Sequence, residues 1–103
     1  MLENNTDAQR VRHLNKVDAK GKMIEMVRGE SKTNIPFVNL LLEVVGKKYT
    51  EKIPFVSYGS LVDSILSTAK VGDTVQIYGR VRSKEKNGRV SVSLICEQFD
   101  VIK

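Results

Sequence analysis

Tryptophan is absent from this 103-residue chain, cysteine and histidine each occur once, and proline occurs twice. A single cysteine, Cys96, excludes an internal disulfide and a thiolate metal cluster, and it suits a reducing compartment. His13, in a polar stretch with no catalytic partner at a recognisable spacing, reads as a solvated side chain. The acidic residues are scattered singly, so they outline no metal-ligand cluster. No G-x-G-x-x-G, P-loop, H-E-x-x-H or EF-hand pattern occurs. No apolar run approaches the roughly 20 residues that cross a bilayer. The first residues, Met1 to Asp7, are polar and partly acidic, unlike a signal peptide. These absences lead us to expect a cytoplasmic, non-catalytic protein with no cofactor, no metal and no membrane contact.

What is present is a basic charge balance, +5 net with a pI near 9.5, which favours a polyanionic partner. The length allows one domain with one modest core. Residues 1–12 show no sustained periodicity and read as a flexible N-terminal tail, leaving 13–103 as the folded domain.

The folded part alternates in strand fashion. Val17, Ala19, Gly21 and Met23 lie opposite Lys16, Asp18, Lys20 and Lys22. The parity then slips to Ile24 and Met26, which predicts a bend or bulge close to Gly21–Ile24. A polar loop is expected over Arg28–Asn34, then a strand from Phe37 to Val45 and another from Tyr49 to Tyr58. Pro54 should face an edge or irregularity, because it has no N–H to give to a ladder. Ser60 and Asp63 have capping-box spacing, and Leu61, Val62, Ile65, Leu66 and Ala69 form one apolar helical stripe. From Thr74 to Arg82 the alternation returns, with Val75, Ile77, Gly79 and Val81 inward. Lys84–Gly88 reads as a hairpin tip. Val90, Val92, Leu94 and Cys96 follow as the expected inner face of a last strand. Strands, one helix, then strands is the order of an all-β, five-stranded Greek-key barrel with its helix between strands 3 and 4, and such barrels often bind single-stranded nucleic acid.

The candidate chemistry lies on the outward faces. Lys70 to Arg89 holds six cations against two acids, Asp73 and Glu85. Arg80 and Arg82 share a strand face with Tyr78, and Lys84, Lys86 and Arg89 continue onto the hairpin. Cations follow phosphates, while an interleaved aromatic gives a base a platform. Tyr58 lies opposite to Phe55 in parity and alongside Lys52, which suits stacking. Phe37 is either an exposed aromatic near the first loop or a plug at the barrel end.

The run from Asn15 to Gly21 resembles the first strand of bacterial and phage single-stranded DNA-binding proteins. Asn39–Leu42 is similar to that family's second strand. Ser57–Leu61 resembles its aromatic-Gly-x-Leu lead into the helix, and Val71–Arg82 its fourth strand. The resemblance implies an OB fold, binding of single-stranded DNA with little sequence preference, and assembly into dimers or tetramers. It implies for Tyr58 the stacking aromatic before the helix, and for Lys16 a phosphate contact. Lys52 stands near the place of a stacking tryptophan in that family. The sequence reaches Lys103 without the family's linker and acidic tail, so the likeness is to a short form from a phage, plasmid or other mobile element, or to a primosomal accessory protein.

The expected activity is therefore non-catalytic binding of single-stranded DNA in replication or recombination, through Lys16, Phe37, Lys52, Tyr58, Tyr78, Arg80, Arg82, Lys84, Lys86 and Arg89. Partners would include replication proteins such as a helicase or polymerase. Two other readings stand beside it: a binder of single-stranded RNA, and a protein-interaction subunit of a replication complex built on the same barrel.

Overall fold

The parity slip in the first strand is where the chain turns from one neighbour to the next. A computed structural model describes residues 13–102, so the expected tail over 1–12 lies outside the described residues. β1 (Val17–Glu30) pairs with β4 (Thr74–Lys86) over Val17–Lys22, and with β2 (Pro36–Val45) over Lys22–Glu30. The register shifts between Met23 and Glu25, leaving Ile24 as the extra residue of a bulge. The loop before β4 is fastened there. The Met23 N–H donates to the Asp73 carbonyl at 2.8 Å, and the Gly72 N–H donates to the Met23 carbonyl at 2.7 Å.

β3 (Thr50–Tyr58) pairs antiparallel with β2, and α1 (Ser60–Thr68) leads from β3 to β4. β5 (Arg89–Ile102) then pairs with β4 along its length and meets β3 in parallel, closing the sheet in the order β1-β2-β3-β5-β4. This closed five-stranded barrel, with its helix between β3 and β4, is an OB fold. No helix of the described residues is long and apolar enough to cross a membrane.

The inward parity meets in one core. Met23, Val38, Leu42, Val75 and Ile77 are completely buried, and α1 adds Val62 and Ile65 to the same cluster. Leu61 and Leu66 pack half-buried at its border. Cys96 is buried there too, on the parity that the sequence gives it. The seam between β3 and β5 is thin: one paired position, Val56 with Ile95, reinforced by the Ser57 hydroxyl, which donates to the Cys96 carbonyl at 3.1 Å. Pro54 falls just beyond it, where β3 has β2 on one side and an open edge on the other.

Four expectations need correction. β1 runs on to Glu30, so Arg28 and Gly29 remain in the ladder opposite Val38 and Phe37, and the loop is shortened to 31–35. The capping box does not form: Gly59 holds the N-cap position, which places Ser60 already inside the first turn with no side-chain cap bond. The β4–β5 hairpin tip is only Asn87–Gly88, both at positive φ (54° and 76°), so Lys84 and Lys86 are strand residues. Val90 and Val92 have the inner parity, but the ribbon has by then left the barrel. They are 64% and 66% exposed.

Candidate nucleic-acid interface

The ribbon that leaves the barrel is the distal part of the β4–β5 pair. It begins where the β4–β5 register shifts between Tyr78 and Gly79, with Glu97 as the unpaired residue. Beyond that point Arg80 pairs with Ile95, Arg82 with Ser93, Lys84 with Ser91, and Lys86 with Arg89. Paired residues project to the same side of an antiparallel sheet. One face of the arm therefore carries Arg80, Arg82, Lys84, Lys86 and Arg89 with serines between them. The other face carries Val81, Val90, Val92 and Leu94.

At the root of the arm a cleft of about 530 Å³ opens between it and the 31–35 loop, lined by Ser31, Thr33, Ile35, Tyr58, Arg82 and Lys84. The loop is held in shape by Ser31. Its hydroxyl accepts the Ile35 N–H at 3.1 Å, and its backbone N–H donates to the Ile35 carbonyl at 2.9 Å. Asn34 adopts positive φ (63°) to complete the turn. Two hydroxyls, Ser31 and Thr33, lie 3.1 Å apart at the mouth.

Tyr58 stands in this cleft. It ends β3 on the outward parity, opposite Phe37 of β2, and the two rings lie 6.4 Å apart with a 60° tilt. Phe37 is half-buried and is not a barrel plug: its ring lies over Gly29, where a Cβ would come within 2.6 Å of the ring. The guanidinium of Arg82 lies over the Tyr58 ring, Cζ 5.2 Å from its centroid, and its Nη2 donates to the phenolic oxygen at 3.1 Å. Four of the residues read from the sequence, Phe37, Tyr58, Arg82 and Lys84, thus converge at one place. Lys86 and Arg89 extend the same cationic face toward the tip.

The other four stand apart from that cluster. Arg80 shares the arm's face, but its Nε donates to the Glu97 carboxylate at 3.0 Å, an ion pair that balances its charge. Tyr78 lies about 13 Å back along β4 from Arg82 by strand rise, paired with Asp18 and Gln98. Lys52 is roughly 20 Å down β3 from Tyr58, in register with Glu43 and next to Glu51. Lys16 is exposed just before β1. Its neighbour Asn15 grips β4 instead: the Asn15 Nδ2 donates to the Val81 carbonyl at 2.7 Å, and its Oδ1 accepts the Val81 N–H at 2.9 Å. This clamp extends the β1–β4 pairing by one side chain and steadies the root of the arm.

Sequence reasoning missed the lining residues Ser31, Thr33 and Ile35. The signal available was a short hydroxyl-rich loop directly before Phe37, which the structure places across the cleft from Tyr58. Among the described residues, no three His, Cys, Asp or Glu side chains gather as a metal site. Burial pushes the Cys96 thiol up to about 11, so at neutral pH it is a protonated packing group.

The crystal structure of the SSB domain of a Synechococcus sp. protein is similar to this chain with a TM-score of 0.68 at 16% identity, over 87% of this chain and 98% of that one. At that identity the likeness is one of fold. No family model and no curated protein sequence matches the chain.

Proposed function

We propose that the protein binds single-stranded DNA, with little sequence preference and without catalysis, across the cleft between the 31–35 loop and the β4–β5 arm. The observation that carries this reading is the convergence of Tyr58 with Arg82 and Lys84 in one open cleft. A base needs a ring face, and the adjoining phosphates need cations; here the two are adjacent. The outward β2–β3 face continues from Phe37 and Tyr58 to Asn39 and Val56, then reaches Glu43 beside Lys52. Phosphates are favoured at the arm end and opposed at the acidic end, so the strand passes over the upper barrel and along the arm. The fold likeness to an SSB domain supports the same reading.

The proposed setting is DNA replication or recombination in the cytoplasm, with the protein assembled as a dimer or tetramer. Titration of poly-dT at several salt concentrations tests the binding. With about four cations neutralising phosphates per protomer, log K should fall with log salt at a slope of roughly −3. Duplex DNA should compete poorly, because its bases are already stacked. A flat salt response, or duplex competing as well as poly-dT, would remove the proposal. Sedimentation velocity at micromolar concentration tests the assembly, and a monomer with binding intact would refute that part.

The exposed valines support a second reading, an OB barrel that docks a replication protein through its arm. Val92 and Leu94 line a groove of about 440 Å³ with Pro54 and Val56. Its mark would be partner binding that survives high salt while oligonucleotide affinity stays negligible.

A further inference from the structure

Tyr58 is 39% exposed, and part of what covers it is the side chain of Arg82. In contrast with Arg80, whose charge is met by Glu97, Arg82 is partnered by a neutral ring and a neutral hydroxyl. A guanidinium over a tyrosine is attractive through the ring quadrupole, worth about 2–5-fold in a binding constant at an exposed site. It also fills space that a base would take, since stacking needs the ring face in van der Waals contact. A base arriving on the Tyr58 face covered by Arg82 must therefore displace the guanidinium. An arginine fork fits a phosphate well, with two parallel N–H bonds to two oxygens. The phosphate attached to the arriving nucleotide is the anion that such a move would meet.

We propose that Arg82 is a specificity-determining residue: it covers the Tyr58 face until a ligand presents a base and a phosphate together, and it moves from the ring to the phosphate as the base stacks. This rests on the reading that Tyr58 stacks a base of single-stranded DNA. A nucleoside displaces the guanidinium without giving it a new partner. A polyanion without bases leaves it where it is. Only an unstacked nucleotide carrying its phosphate satisfies both residues at once, so the pair selects against isolated bases and against bare polyanions alike.

The test compares the wild type with Arg82→Ala on an oligo-dT and on an abasic oligomer of equal length, each titrated over a range of salt. On oligo-dT, Arg82→Ala should make the slope of log K against log salt shallower by about 0.7, the value of one phosphate contact on a single strand. On the abasic oligomer the two proteins should share one slope, because the guanidinium stays on the ring. In a Tyr58→Ala background the effect of Arg82→Ala should become the same on both oligomers, since the ring that held the guanidinium is gone. An equal reduction on both oligomers with Tyr58 intact would overturn the proposal, making Arg82 a fixed phosphate contact. No reduction on either would overturn it as well, because the guanidinium would then never leave the ring. The parent reading fails separately. If the wild type holds both oligomers equally and Tyr58→Ala changes neither, Tyr58 stacks no base. If the wild type prefers oligo-dT and Tyr58→Ala abolishes that preference, stacking stands, and the slopes alone decide the role of Arg82.

Discussion

The β4–β5 ladder passes through two environments. From Thr74 to Gly79, opposite Cys96–Ile102, it is barrel wall: Val75 and Ile77 are fully buried. From Arg80 to Lys86, opposite Arg89–Ile95, most of it is an arm. Its side chains alternate as regularly, yet Val90 and Val92 meet solvent. The backbone pairing continues through both. What changes is whether a third element lies under the sheet: β1 and β2 close over the first part, while the seam to β3 ends at Val56–Ile95. Hydrogen bonding alone makes a strand here, and burial makes a core. The half without a core is the half that carries the cations.

The largest test of that division compares one buried and one projecting side chain of the same ladder. Ile77→Ala should cost about 2–5 kcal/mol of unfolding free energy, the range for a large aliphatic residue deleted from a packed core. Val92→Ala should stay within about 0.5 kcal/mol, as for an exposed surface change. Urea denaturation of both variants decides it. A loss at Val92 approaching that at Ile77 would break the comparison, and it would show that the apolar face of the arm is covered in solution.

The boundary itself is Gly79. A Cβ there would collide with the backbone carbonyl of Ile95, which cannot rotate away as a side-chain end would. Gly79→Ala should therefore cost about 1–3 kcal/mol by overpacking. The same substitution at Gly88 meets open space, but it must tolerate a positive φ of 76°. Its strain belongs to the arm alone, so oligonucleotide binding should suffer more than thermal stability, measured by calorimetry beside a binding titration.

At the cleft the order of effects reverses, with binding lost and stability kept. Tyr58→Ala should weaken single-stranded DNA binding by about 1–3 kcal/mol, the worth of one base–aromatic stack. Its unfolding midpoint should move little, because the ring lies outside the core cluster. Tyr58→Phe keeps the ring and loses only the bond from Arg82, so its affinity should lie within a factor of a few of the wild type. Fluorescence anisotropy with a labelled oligo-dT measures both. Equal losses in the two variants would mean that the hydroxyl, not the ring, does the binding.

Most of the barrel was legible because period-2 alternation states which residues share a face. It led to the inward set of β4, the helix stripe and the bulge near Ile24. It does not say how far the cover over a face extends, which is why parity alone assigns Val90 and Val92 to the core. Parity is local, whereas cover depends on where β3 ends its pairing with β5. The cleft was legible in the same partial way. Tyr58, Arg82 and Lys84 each announced an outward aromatic or cation, and Phe37 either an exposed ring or a plug, but their meeting depends on the path of the 31–35 loop beside the arm. Lys52 has the same local credentials as Lys84; register places it opposite Glu43. Ion pairing, as between Arg80 and Glu97, is likewise created by a bulge that no alternation reveals.

The smallest effect concerns Cys96, at the barrel side of the boundary, and it sharpens the comparison through pH. Burial pushes this thiol up to about 11, with hydrogen bonds from the Gln98 backbone and the Ser57 side chain opposing that rise and the nearby Glu97 charge adding to it. An unfolded thiol titrates near pH 8.5. The folded pKa is the higher of the two, so between these values the folded state holds a proton that the unfolded chain has released. The stabilisation linked to that proton is complete below about pH 8.5 and is lost as pH rises through 11. Cys96→Ala removes this dependence and leaves every other ionisable side chain in place. The stability difference between wild type and Cys96→Ala should therefore shift against the wild type as pH rises from about 8.5 toward 11. Denaturant melts of the two proteins at matched pH values give that difference directly. A difference that stays constant across the range would mean that the thiolate forms without penalty, and hence that water reaches the β3–β5 seam much as it reaches the arm.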